Sequence, residues 1–279
     1  MPKAGGTGDA RLEDPRVLSV GGRLHFRAQP DTSGPATIVR NLMRAIVISD
    51  IHGNIEVVRA LERQWGARLE QFDRVVCLGD LVDYGPDPGE VIDWVRSRAT
   101  DAVRGNHDHA MATGEPCRSA PRFLEASILT RQRLKSTLTN DQISYLGHLP
   151  DTRSMAAGEL TWHLVHATPA DPLHDYVAPE SGDERWLSAV GGLAGRVVLV
   201  GHTHLAFVRS VGGGLVINPG SIGMPKDGHP SGSYAIIEDR AVRFCRVLYD
   251  PEPMIARLRS LGLPLHIVDQ LTRTFRTGT

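Results

Sequence analysis

Arg74-Val-Val-Cys-Leu-Gly-Asp-Leu-Val-Asp83 opens as a short apolar run with two valines and then meets a glycine followed by a carboxylate. The pattern is that of a buried strand closed by a sharp turn, because Gly79 can take backbone angles barred to other residues. Asp80 is thereby left at the carboxyl end of a sheet, the edge at which open α/β sheets hold their ligands. A carboxylate has two oxygens and can serve two neighbours at once.

The same grammar recurs outward from this stretch. Residues 44–49 form an apolar strand that ends in Asp50-Ile-His-Gly-Asn54, and apolar residues at 55, 57, 58, 61 and 65 then follow helical spacing. Downstream, 90–98 place Val91, Ile92 and Val95 on one helical face, and a strand at 101–104 ends in Gly105-Asn-His-Asp108. The middle, 120–148, reads as mostly helical, with Asn140 capping its last helix before Pro150. A hairpin at 152–156 and 160–166 turns on Ala157-Gly158, with His166 closing its second strand. Another buried strand, 197–200, ends in Gly201-His-Thr-His204. Strands at 215–218, 233–238 and 242–248 and helices at 252–261 and 264–272 complete the chain. Strand, polar turn and helix in alternation predict mixed sheets with helices on their faces. Two such strand groups predict an α/β fold, a four-layer α/β/β/α sandwich of two mixed β-sheets flanked by helices.

Residues 1–42 differ in composition, being rich in Gly, Ala and charge, with a loop-like Pro30-Asp-Thr-Ser-Gly-Pro35. They are expected to form a flexible extension with a short hairpin of 17–20 and 24–26, or to be upstream sequence before a start at Met43. One domain would span 43–279. The 279 residues are 41% hydrophobic and 23% charged, enough to bury a large core. A net charge of −1 gives no global field to attract nucleic acid or an anionic membrane. Three widely spaced cysteines, Cys77, Cys117 and Cys245, fit a reducing cytoplasm better than a disulfide framework. No apolar run is long enough to span a membrane.

Five polar motifs therefore fall at strand ends or in the loops after them. Two imidazoles on one turn, at His202 and His204, are a common way to hold a metal. A polar triplet directly after a buried strand, as at 106–108, needs hydrogen-bond partners or a ligand. Singly these are ordinary loops; together, Asp, Asn and His gathered at five strand ends point to a metal centre, with Asp80 as the bridge between two ions.

The ordered set Asp50-x-His52, Gly79-Asp80-x-x-Asp83, Gly105-Asn-His-Asp108, His166 and Gly201-His-x-His204 resembles the calcineurin-like metallophosphoesterase family, over roughly residues 44–237. That resemblance implies one divalent ion on Asp50, His52, Asp80 and His204, and a second on Asp80, Asn106, His166 and His202. Mixed nitrogen and oxygen ligands suit Mn, with Fe, Zn, Co or Ni as alternatives. A hydroxide held between the ions would attack phosphorus, and His107 would protonate the leaving group as general acid, oriented by Asp108. Asp83 would hold a ligand histidine from behind, and Asn54 and Tyr84 would meet the substrate. The phosphoprotein phosphatases of the family end their second and third motifs in Asp-Arg-Gly and Asn-His-Glu. Here Tyr84-Gly85 and Asp108 stand in those places, so a bidentate phosphate clamp is missing. The chain looks closer to compact bacterial and archaeal phosphodiesterases, some near diadenosine tetraphosphate hydrolases. A small phosphodiester or nucleotide is the implied substrate. The rival readings are a serine/threonine phosphatase or phosphomonoesterase, and a metal-binding scaffold without catalysis.

Overall fold

Strand β2 (Arg44–Ile48) turns Ala45 and Val47 to one face and Ile46 and Ile48 to the other, and all four are fully buried. A strand that is apolar on both sides must be covered on both sides. The computed structural model, which describes residues 24–25, 43–158, 160–192, 196–238 and 241–279, shows what covers it. Ala45 and Val47 join Val76, Leu78, Trp162, Leu164, Val197, Leu199 and Ile217 in a core between two sheets. Ile46 and Ile48 instead meet the apolar faces of helices α1 (Ile55–Trp65) and α2 (Pro88–Arg98). On the far side Val165, Val198 and Val216 pack against Trp186 and Ala189 of a further helix, α6 (Asp183–Val190). The expected four layers are therefore present.

The first sheet has the order β1 (Leu24–His25), β11 (Ala241–Val247), β10 (Gly232–Glu238), β2, β3 (Arg74–Cys77), β4 (Asp101–Ala102). Its strands β2, β3 and β4 run parallel, and the other pairings are antiparallel. The second sheet is β5 (Thr152–Ala157), β6 (Leu160–Val165), β7 (Arg196–Leu199), β9 (Gly214–Pro219), β8 (Ala206–Val211), with β6, β7 and β9 parallel. Each parallel half sends its carboxyl ends to the same edge of the sandwich. Helices α4 (Pro121–Leu134), α7 (Glu252–Ser260) and α8 (Leu265–Thr277) bury Phe123, Met254, Leu258, Leu271 and Phe275 in a separate cluster that reaches Tyr84 and Met224.

Several elements differ from expectation. Helix α3 (Asn106–Thr113) begins inside the third motif, where a polar turn was expected. Helix α5 (Asn140–His148) is capped by Thr139, not Asn140, through reciprocal bonds between Thr139 and Gln142. Strand β8 and helix α6 had no counterpart in the sequence reading. Leu24 and His25 pair with β11, while residues 17–20, expected to be their hairpin partner, and the rest of 1–42 lie outside the described residues.

Candidate metal centre

The turns after β2 and β3 run side by side. Asp50 N–H donates to Gly79 O at 3.0 Å, His52 N–H to Asp80 O at 2.9 Å, and Gly53 N–H to Leu81 O at 2.8 Å. The Gly79 turn presses against the next one so closely that a Cβ on Gly79 would lie 2.4 Å from Gly105 N, and one on Gly105 2.0 Å from Asp80 Oδ1. Asp50, His52, Asp80, Asp83, Tyr84, His202 and His204 all have positive φ, a region that opposes any Cβ. So much local strain at strand ends persists only where the surroundings over-determine it, as they do at ligand sites.

The candidate ligands converge as two sets, and Asp83, His107 and Cys117 form a third cluster beside them. Asp50, His52 and His204 bring one ligand atom each within 4.8 Å of one another, and Asp80, His166 and His202 do the same. Three of the four rings are fixed from behind, the exception being His202, whose Nδ1 faces His166 Nε2. Backbone oxygens of Val82, Leu78 and Met224 meet Nδ1 of His52, His166 and His204 at 2.9, 2.7 and 2.5 Å. With that nitrogen donating, Nε2 is left to face inward as a lone pair. His204 Nε2 then faces Asp50 Oδ1 at 3.2 Å and His52 Nε2 at 3.3 Å. These are acceptors meeting acceptors, and the buried Asp50 Oδ1 has no hydrogen-bond donor. Two ligands ~2.1 Å from one ion lie ~3.0–3.5 Å from each other at ordinary coordination angles, so the spacing and the donor set both fit a cation.

In the second set His166 Nε2 lies 3.0 Å from Asn106 Oδ1, 3.2 Å from His202 Nδ1 and 3.2 Å from Asp80 Oδ2. Asn106 is turned this way because its Nδ2 donates to Cys117 O at 2.6 Å. Asp80 Oδ2 is also 3.7 Å from His52 Nε2, so one carboxylate faces both sets.

Burial dominates the titration of these groups. It acts to raise Asp50, but His204 and His166 outweigh it and hold the carboxyl well below the usual range. Burial lowers His52 and His204, and burial with the charge of His166 pulls His202 down to about 3, which keeps these rings neutral as metal binding requires. It would lower His166 as well, but Asp80 pushes that ring up to about 9, and a proton there sits where a cation would be shared.

His107 stands apart from both sets. Asp83 Oδ2 is 2.6 Å from His107 Nδ1, and Tyr84 Oη is 3.5 Å from Nε2. Burial acts to lower this ring, yet Tyr84, Asp80 and Asp83 together hold it protonated well above the ordinary histidine range. Arg131 bonds Asp83 Oδ2 in turn.

Four expectations are corrected here. Asp108 does not orient His107; its carboxylate accepts from the N–H groups of Asp80, Leu81 and Gly105 at 2.8, 2.8 and 3.0 Å and so pins the two turns together. Asp83 backs His107 and not one of the candidate ligands. Asn54 is fully buried away from any substrate, capping α1 through Val57 N–H and donating to Gly223 O and Tyr249 Oη. Tyr84 lines the cleft but is 1% exposed, its ring set against Phe123, which leaves no open face for a base. The loop Asn218-Pro-Gly-Ser221 supports the site, Ser221 Oγ donating to Asp50 O at 2.7 Å and Asn218 Nδ2 to Gly201 O at 2.6 Å. His163 bonds Ser154 on the outer side of its hairpin and takes no part.

A cleft of about 320 Å³ opens over the site, lined by Asp80, Asn106, His107, His202 and His204 and by Arg118, His174, Tyr176 and Lys226. Arg118, Tyr176 and Lys226 were not foreseen, because they sit in loops with neither periodicity nor motif spacing. Lys226 Nζ is 3.3 Å from His204 Nε2, and burial pulls its ammonium down to about 8.

A family model described as the calcineurin-like phosphoesterase superfamily domain matches residues 43–241. A crystal structure of a metallophosphoesterase from Sphaerobacter thermophilus is similar at 31% identity and a TM-score of 0.65, over 84% of this chain and 100% of that one. A hypothetical protein from Pyrococcus horikoshii OT3 shares the fold at a TM-score of 0.70 and 21% identity, over 85% and 99% of the two chains. An uncharacterised protein of Methanocaldococcus jannaschii is 28% identical over 243 residues, which are 81% of this chain and 96% of the relative.

Proposed function

The chain belongs to the calcineurin-like phosphoesterase superfamily, metal-dependent hydrolases of phosphoester bonds, and on that premise we propose that it cleaves small phosphodiesters or nucleotides at a two-metal centre. One divalent ion would be held by Asp50, His52, Asp80 and His204, and the other by Asp80, Asn106, His166 and His202. The observation that supports this most is the Asp80 carboxylate, whose Oδ2 is 3.2 Å from His166 Nε2 in one set and 3.7 Å from His52 Nε2 in the other. Nitrogen and oxygen donors together favour manganese or another transition ion over calcium. When bound, two such ions supply an acidified water and offset charge on the phosphoryl oxygens.

The chain's own residues do the rest. His107 gives a proton from Nε2 to the leaving oxygen, a role worth roughly 10²–10⁴-fold. Asp83 accepts from Nδ1, which fixes the ring and favours its charged form, and Arg131 keeps Asp83 in place. Asp108 holds the Gly79–Asp80 turn against Gly105, so that Asp80 keeps its aim. Among the described residues no helix is long and apolar enough to cross a membrane. The free, buried Cys77, Cys117 and Cys245 suit a reducing compartment, in keeping with a cytoplasmic enzyme.

The test is hydrolysis of bis(p-nitrophenyl) phosphate, p-nitrophenyl phosphate and nucleotides by manganese-loaded protein, with metal analysis on the same sample. The reading predicts two ions per chain and activity that chelation removes and manganese restores. Protein that carries both ions and cleaves no phosphoester would overturn it.

A further inference from the structure

Among the described residues eight non-glycine positions have positive φ, and seven are in the motif turns. The eighth is Arg118, φ 50°, in the loop between α3 and α4, and it lines the same cleft. A residue with a Cβ is held in that region only when its neighbourhood demands it. Nothing on the protein repays the placement: among the described residues the exposed Arg118 has no hydrogen bond and no carboxylate partner.

Two more cations without a carboxylate partner stand nearby, Lys226 in the same cleft and Arg122 beside Phe123 in the lining of a second pocket. The Arg122 guanidinium lies 4.6 Å from the centre of the Phe123 ring, and Lys226 Nζ lies 4.8 Å from the same ring. Like charges gathered on one ring repel, and no carboxylate among the described residues pairs with either. Lys226 leans on His204 Nε2 instead, at 3.3 Å. A cation on His204 takes that lone pair and leaves the ammonium to an anion in the cleft. At the mouth Tyr176 is 56% exposed, its ring 5.7 Å from that of His202.

We propose that Arg118, Arg122 and Lys226 form an anion clamp that selects phosphoesters bearing a second phosphoryl group beside the one cleaved, of the nucleoside di- and triphosphate kind, with Tyr176 offering its ring to the base. This rests on the hydrolase reading above. A diester phosphate brings one negative charge, which the metal centre alone can answer. Three further cations match a substrate with more, since a terminal phosphate group adds about 1.5–2 negative charges. Guanidinium groups are suited to gripping phosphate oxygens two at a time, and exposed aromatic faces to stacking on bases. The chemistry remains hydrolysis: water adds to phosphorus, the bond to the leaving oxygen breaks, and that oxygen takes a proton.

The test is the ratio of kcat/KM for ADP to that for bis(p-nitrophenyl) phosphate, measured on manganese-loaded enzyme at saturating free metal. Arg118→Gln is expected to lower that ratio about tenfold, mainly through KM for ADP, the scale of one lost charge-assisted contact. Arg118→Lys should restore part of it. Inorganic tripolyphosphate should inhibit the unaltered enzyme at least about tenfold more strongly than inorganic phosphate, and Arg118→Gln should narrow that gap. An unchanged ratio, an equal loss on both substrates, or equal inhibition by the two anions would overturn the clamp while the hydrolase reading stands. Metal-loaded enzyme that cleaves neither substrate would overturn the hydrolase reading, and the clamp with it.

Discussion

His107 and Asp83 are 24 positions apart in sequence and 2.6 Å apart in space, and that contact decides how the proton is handled. The proposed acid works only while protonated, so activity falls as pH rises through the pKa of His107, which its surroundings have raised. Asp83→Asn removes a negative neighbour, lowers that pKa, and should move the alkaline limb of the pH–rate profile to lower pH while both metals stay bound. The shift should be clearest with poor leaving groups, which need the proton most; a profile that does not move would separate Asp83 from the acid. Which acidic residue backs His107 was not legible in the sequence, where Asp108 is adjacent and Asp83 is remote. The choice is made by the fold: α3 begins at Asn106, and Asp108 in its first turn faces the backbone donors of Asp80, Leu81 and Gly105. The candidate ligands were legible because each directly follows a buried apolar strand. Arg118 and Lys226 follow none, and only the folded cleft brings them to the site.

At the scale of elements, the strand ends were readable to within a residue or two wherever an apolar run met a glycine. Gly105 shows why glycine closes such a run. A methyl group there would meet Asp80 Oδ1 at 2.0 Å and Asp80 N at 2.4 Å, both fixed by the neighbouring turn. Gly105→Ala should therefore cut metal content and activity together and lower the melting temperature. Metal analysis and a thermal melt on one preparation would check this; full metal occupancy with unchanged activity would show that the two turns are not locked together. The elements that escaped notice did so for a common reason. Residues 106–113 read Asn-His-Asp-His-Ala-Met-Ala-Thr, which has no apolar stripe, because that helix spends its first turn on the site. Strand β8 is partly buried along most of its length and shows no clean alternation.

For the molecule as a whole, the consequence of the two-sheet design is that parallel strand ends from both sheets meet at one edge and place Asp50 and Asp80 in the interior with Asn106 and four histidines. Buried carboxylates need compensating charge, and cations would supply it. Chelation should then lower the melting temperature, by an amount equivalent to ~2.7 kcal/mol for metal at a hundred times its Kd. A melt unaffected by chelator would mean that the fold is stable without the ions. The central claim is that Asp80 bridges two ions, and anomalous diffraction at the manganese edge tests it most directly. Crystals grown with manganese should give two peaks per chain, both within coordination distance of the Asp80 carboxylate, and Asp80→Asn should weaken both. A single peak, or peaks that leave Asp80 uncoordinated, would contradict the account.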